Sequence, residues 1–157
     1  MAALKNRDAQ LQQIEILKEI AQSIIDKKDT QSILEAIVKS TSRLLNNASL
    51  VEILLWDVSK QHLITQAWST SEPAQNPIIS PGEGIIGSLA QSILAGVTYE
   101  YDKWYFPDVH SVPYLKSIEN IRTEFVYPIR SSSGNFIGVL NVEDIRVDAF
   151  SRHERQI

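Results

Sequence analysis

Between Asp8 and Asp26 the apolar residues fall at Leu11, Ile14, Leu17, Ile20 or Ala21, and Ile24, a spacing that predicts a helix. Gln12, Gln13, Glu15, Lys18, Glu19 and Gln22 occupy its other faces. A narrow apolar stripe among mixed polar residues suits packing on a single partner, either a second copy of the helix or the body of its own domain. Asp29 or Thr30 is placed to cap a second helix, because a side-chain oxygen there accepts an otherwise unpaired N–H. Its wide stripe from Ile33 through Leu34, Ile37, Val38, Leu44 and Leu45 reads as a helix laid on a sheet, and Asn46-Asn47 ends it.

From Ser49 the period changes. Ser49 to Trp56 is almost continuously apolar and short, which predicts a strand buried on both faces. Gln61 to Thr70 is a second strand, joined to the first by a turn at Asp57 to Lys60. Ser71 to Pro81, with Pro73, Pro77 and Pro81, predicts loop. The glycine-punctuated run from Pro81 to Ala90 opens a helix that reaches about Leu94. Gly82, Gly84 and Gly87 spell a dinucleotide-type pattern, yet they follow a proline-rich loop and no βαβ unit surrounds them. Gly84 and Gly87 read instead as allowing close packing at the helix start.

Val97 to Tyr101 predicts a short strand, and Asp102 to Ile118 an irregular segment crowded with Trp104, Tyr105, Phe106 and Tyr114. So much aromatic surface must fold back over the domain, at about 25 cal/mol per Å² of apolar area. Thr123 to Arg130 puts Phe125, Tyr127 and Ile129 on one face, and Pro128 marks an edge or a bulge because it has no N–H to donate. Ser131 to Asn135 turns into Phe136 to Glu143, a central strand. Ser151 and Glu154 form a capping box, with Phe150 as its staple, opening a last helix expected to continue past Ile157 in a longer polypeptide. Hairpin connections of this kind give an α+β domain with an antiparallel sheet and helices on its faces.

A length of 157 residues fits one domain, and 43% hydrophobic with 22% charged residues is ordinary globular composition. The formal charge of −4 with no basic block argues against nucleic acid as a partner. No run approaches the ~18 apolar residues of a membrane span, and the N-terminus lacks the apolar core of a secretory signal, so a cytoplasmic protein with no membrane association is expected. The absence of cysteine rules out disulfides, thiolate metal sites and a cysteine nucleophile in this chain. His62, His110 and His153 are too dispersed to make a metal pair, so no metal site is expected.

Five motifs, in order, resemble a GAF domain: Pro81-Gly82-Glu83-Gly84-Ile85-Ile86-Gly87; Pro107-Asp108-Val109 with Pro113-Tyr114; Glu124-Phe125-Val126-Tyr127-Pro128-Ile129; Gly138-Val139-Leu140-Asn141-Val142-Glu143; and Ala149-Phe150-Ser151 with Glu154. The resemblance divides the chain into a signalling or dimerisation helix at 1–29 and a GAF domain at 30–157. It implies a central antiparallel sheet with N- and C-terminal helices on one face and loops plus short helices on the other. A small-molecule pocket beneath those loops is implied, with Trp104, Phe106, Asp108, Tyr114, Glu124 and Phe125 as its candidate residues. Without cysteine, neither a covalent bilin nor the thiol chemistry of the family's free methionine sulfoxide reductases is expected, and His110 alone among prolines reads as a loop residue rather than a haem ligand. No cofactor is therefore expected. Glu143-Asp144 and His153 depart from the pattern of cyclic-nucleotide-binding members, of which only Phe150 and Glu154 fit. Glu124 and Glu143 lie on neighbouring strands, which by itself does not make an acid–base site. The resulting expectation is a non-catalytic regulatory sensor that binds a small molecule, within a signal-transduction protein such as a sensor histidine kinase or nucleotide cyclase. The alternative is a ligand-free dimerisation module whose aromatics fill the pocket.

The same stripe carries an expectation of pairing. Leu11, Ile14, Leu17 and Ile24 are expected to join two copies, together with the flanking C-terminal helix. Sedimentation should show a homodimer for the whole chain and a monomer when residues 1–27 are removed; a monomer in both cases refutes the pairing.

Overall fold

The computed structural model describes residues 10–18, 29–114 and 116–156. Residues 10–18 are helical (α1). Asp29 caps α2 (Thr30–Leu44), its carboxylate accepting from the backbone N–H and the hydroxyl of Ser32, each at 2.8 Å. After Leu45 both Asn46 and Asn47 take the left-handed conformation, with φ of 56° and 57°, which turns the chain into the sheet. Asparagine tolerates that region better than most residues.

Strands β1 (Leu50–Asp57) and β2 (His62–Trp68) form a hairpin. The Asp57 carboxylate closes its turn by accepting from Ser59 N, Ser59 Oγ and Lys60 N. Then come β3 (Ile78–Ile79), α3 (Gly84–Leu94), β4 (Tyr105–Phe106), β5 (Thr123–Arg130) and β6 (Phe136–Asp144). All pairings are antiparallel and the order is β3-β2-β1-β6-β5-β4. Because side chains alternate across a strand, each face has its own core. One packs Val51, Ile53, Phe125 and Val142 with Val38 of α2 and with Phe150. The other packs Leu54, Leu63, Val126 and Val139 with Ile86 and Leu89 of α3. The irregular segment 102–118, apart from the undescribed residue 115, supplies Trp104, Phe106, Val112 and Tyr114 to this second face as a roof.

Three local expectations change. The proline-rich loop contains β3, which pairs with β2 through Leu63↔Ile79 and Ile64↔Ile78. Val97 to Tyr101 is not a strand; Tyr99 is anchored by its side chain, whose hydroxyl donates to the Val126 carbonyl at 2.8 Å. The strand beside β5 is instead Tyr105–Phe106, which pairs only with Phe125 and Glu124. Val126 N still donates to Trp104 O at 3.2 Å, so the N of Pro128, two residues on, points to the same side beyond the end of β4. A proline is tolerated there because no ladder bond is required of it.

The Ser151 capping box is made, Ser151 N donating to Glu154 Oε2 at 2.7 Å and Glu154 N to Ser151 Oγ at 3.2 Å. Among the described residues the turn it opens is a 3-10 turn, Glu154–Gln156. In α1 the residue buried on the domain is Ile16, while Leu11, Ile14 and Leu17 are each about half exposed. The remaining member of the expected stripe, Ile24, lies outside the described residues. No helix among the described residues is long and apolar enough to cross a membrane.

Gly87, in the first turn of α3, packs so tightly on β3 that a Cβ there would overlap the Ser80 carbonyl oxygen and sit 3.2 Å from Ile79 Cγ2. The obstacle is backbone and cannot rotate away. Gly87→Ala should therefore cost about 1–3 kcal/mol, the range of an overpacked interior site, read as a lower denaturant midpoint at unchanged slope.

Candidate functional site

The strand alternation that sends Leu54, Val126 and Val139 toward α3 sends Glu52, Glu124, Asn141 and Glu143 the same way. Register then places Glu52 opposite Asn141 and Glu124 opposite Glu143. Three carboxyls and one amide thus share the floor of a site under the roof, and none of the four is more than 1% exposed. A cavity of about 10 Å³, lined by Glu52, Glu124, Ser117, Ile79 and Ile86, adjoins them. That is room for a single water. Asn76, Glu83 and Ile85 complete its lining, and among the described residues no basic side chain lines it.

Hydrogen bonds are distributed unequally. Asn141 Nδ2 donates to Glu52 Oε1 at 3.0 Å and to Glu143 Oε1 at 3.1 Å. The other Glu143 oxygen accepts from the Ser117 hydroxyl and, at 3.5 Å, from the Tyr114 hydroxyl, both brought down by the roof. Glu52 Oε2, Glu124 Oε2 and Asn141 Oδ1 are buried without a partner.

Burial raises all three carboxyls, since a charge is poorly solvated there. Glu52 is pushed up to about 8, chiefly by burial and then by the charge of Glu143, with the Asn141 hydrogen bond opposing. Glu124 lies well above the usual carboxylate range, from burial and from the charges of Glu143 and Glu52, with no hydrogen bond in opposition. Glu143 is pushed up only to about 7, because Ser117, Asn141 and Tyr114 offset part of the cost of burial. Of the three, Glu143 has the most donors favouring its charge, while burial pushes Glu52 and Glu124 toward the protonated form.

The structure brings together two of the six pocket residues expected from the sequence, Glu124 and Tyr114. Trp104 and Phe106 pack edge to face, with centroids 6.4 Å apart, as half-buried walls of the same face. Asp108 is a correction: it caps the 3-10 turn Val109–Ser111 and is gripped by Arg122, Nε at 3.2 Å and Nη2 at 2.7 Å. Those bonds, with one from the His110 N–H, hold its carboxyl down at about 2. Phe125 is the second correction. One residue along the strand from Glu124, it faces α2 and meets Phe150 at 5.1 Å. Glu52, Asn141 and Ser117 are site residues that the sequence reading passed over, and Glu143 was noted without a role. For Glu52, Asn141 and Glu143 the signal was a polar residue inside two otherwise apolar runs, LVEILLW and GVLNVE; Ser117, in the irregular roof, had none. Among the described residues no group of three or more His, Asp or Glu side chains is arranged to hold a metal ion.

No family model matches the chain, and no curated protein does. Solved structures do. A free methionine-R-sulfoxide reductase from Neisseria meningitidis, in complex with its substrate, is 21% identical at a TM-score of 0.74, covering 95% of this chain and 82% of that one. A putative GAF sensor protein from Burkholderia vietnamiensis is 17% identical at a TM-score of 0.76, covering 94% and 87%. A methionine sulfoxide reductase of this kind from Staphylococcus aureus, in complex with substrate, is 24% identical at a TM-score of 0.66, covering 92% and 86%. The fold is GAF-like. The expectation of a non-catalytic module is corrected by this set, in which enzymes and regulatory GAF domains share the architecture. Missing cysteine removes a thiol from this chain; it leaves the buried acids in place.

The raised carboxyls fix the sign of a pH dependence. Unfolded, each titrates near 4.5; folded, Glu143 and Glu52 hold their protons to about 7 and about 8. Between these limits the folded state binds more protons than the unfolded one, so stability must fall as pH rises from 5 to 8, by up to about 1.4 kcal/mol per pH unit for each proton retained. Asp108 and Asp144, both held low, act only at more acid pH. Urea unfolding at pH 5, 6.5 and 8 checks the slope, and Glu52→Gln, which cannot ionise, should flatten it.

Proposed function

We propose that this chain is an enzyme whose Glu52 and Glu124 act as acids, donating from Oε2 to an oxygen atom of a small molecule held under the roof. The observation that carries the reading is the pair of carboxyl oxygens, Glu52 Oε2 and Glu124 Oε2, buried without a partner in residues that line one cavity. A carboxylic acid kept neutral at physiological pH is a hydrogen-bond and proton donor, and low-dielectric burial is how proteins make one. The structurally similar reductases carry the name of a substrate, free methionine-R-sulfoxide, that presents such an oxygen on sulfur. A free amino-acid sulfoxide is therefore the substrate class we assign here.

The chain has no cysteine, so its own residues supply only the proton half of a reduction. An external dithiol supplies the electrons: its two thiols are oxidised to a disulfide, the S–O bond breaks, and sulfide and water leave. Protons given up by the acids to the departing oxygen are restored from the thiols. The single-water cavity means that the roof must lift for entry, releasing the Ser117 and Tyr114 contacts to Glu143. We assign the protein to a reducing cytoplasm, where thiol reductants persist, and to a homodimer through α1, whose Leu11, Ile14 and Leu17 are each about half exposed.

Binding and turnover of methionine-R-sulfoxide test the reading, with dithiothreitol as reductant and methionine as the comparison ligand. The sulfoxide should bind at least about tenfold more tightly than methionine, the worth of a hydrogen bond from a strong donor. Glu124→Gln keeps a donor and should retain binding while losing turnover; Glu124→Leu should lose both. Equal affinity for sulfoxide and sulfide, with no turnover, overturns the proposal.

A further inference from the structure

Asn141 hydrogen-bonds two of the three carboxyls. It is fully buried, its NH2 group spans Glu52 Oε1 and Glu143 Oε1, and its Oδ1 has no partner. An NH2 group has two hydrogens and no lone pair to offer, so both oxygens it faces must be acceptors. The proton of Glu52 is then excluded from Oε1 and confined to Oε2, an oxygen with no other partner. The reversed amide would impose the opposite pattern, presenting Oδ1 to two oxygens that would each have to carry a proton.

We propose that Asn141 is the positioning residue of this site, the group that directs the acid proton of Glu52 to Oε2 and joins Ser117 and Tyr114 in favouring the charge on Glu143. Glu143 is faced by Glu124 from β5, by Tyr114 and Ser117 from the roof, and by Asn141 from its own strand; Glu52, across Asn141 on β1, completes the trio. Glu83 and Asn76 also line the cavity, and among the described residues no basic side chain does, so no cation there competes with the amide in setting the pattern. Asn141 donates to two carboxyls, whereas each roof hydroxyl reaches only Glu143. The value of this placement rests on the acid-site reading above, but the protonation pattern can be measured without any ligand.

The test is a pH titration of the glutamate side-chain carboxyl carbons by NMR in the whole chain, with Glu143→Gln to assign the first step. Asn141→Leu removes the donor from both carboxyls. Asn141→Asp keeps the shape but replaces a fixed double donor with a fourth carboxyl, which either adds a negative charge or, protonated, donates to one oxygen at most. Each variant should raise the first titration midpoint by about one pH unit or more, a tenfold gain in proton affinity. Val142→Ala, a core truncation facing α2, should leave the midpoint where it is, which separates proton placement from loosened packing. An unchanged or lowered midpoint in either folded variant overturns the proposal. A shifted midpoint in a protein that binds no sulfoxide upholds it while rejecting the proposed function. Sulfoxide binding beside an unshifted midpoint does the reverse.

Discussion

Three carboxyls on one face of a sheet, with no basic side chain among the described residues at their cavity, form the constraint around which the rest of the molecule is arranged. Several kcal/mol stand against each buried, unpaired charge. The fold meets that cost by pushing two of the three toward the protonated form and surrounding the third with donors. Asn141 comes from the floor, and Ser117 and Tyr114 come from the roof. The roof is therefore more than a cover. Its position is part of what favours the charge on Glu143.

The opposite face has none of this chemistry. Val51, Ile53, Phe125, Val142 and Phe150 pack with Val38 of α2 in a core that is apolar throughout, so stability and chemistry are separated by the alternation of the same strands. On the site face, α3 approaches closely because Gly87 lets its first turn rest on Ser80 and Ile79. Ile79 and Ile86 then wall the cavity with groups that cannot solvate a charge. Packing and electrostatics are thus linked: the fit that brings α3 down also deprives the acids of water.

Strands and helices were largely legible because their signals are local. The run from Leu50 to Trp56 and the run from Phe136 to Glu143 fold as central strands, and Asp29 and the Ser151 box cap as their side chains require. The site was less so, for two physical reasons. A strand's faces differ by one residue, and the choice between Glu124 and Phe125 as a pocket pair ignored that they must diverge. Register between distant strands is a tertiary fact, so nothing local announces that Glu52 lies opposite Asn141 across about ninety residues. Asp108 misled for the opposite reason: beside aromatic roof residues it resembles a ligand contact, yet its partners are His110 and Arg122, within fourteen positions.

The fold alone does not divide sensors from enzymes, since structures of both kinds overlay on this chain at similar quality. What this chain itself adds is the polar content of the space between sheet and roof. A pocket that existed only to be filled would be filled best by apolar side chains, because replacing buried ionisable groups with hydrophobic ones of similar volume is commonly neutral or stabilising. Here the aromatics of the roof already cover that face, and a space of only about 10 Å³ remains. Beneath them Glu52 and Glu124 each keep an oxygen without a partner, at a cost that packing does not return. Acids pushed toward the neutral form and left without a protein partner are poor structural elements. They are well suited to meeting an acceptor that arrives from outside.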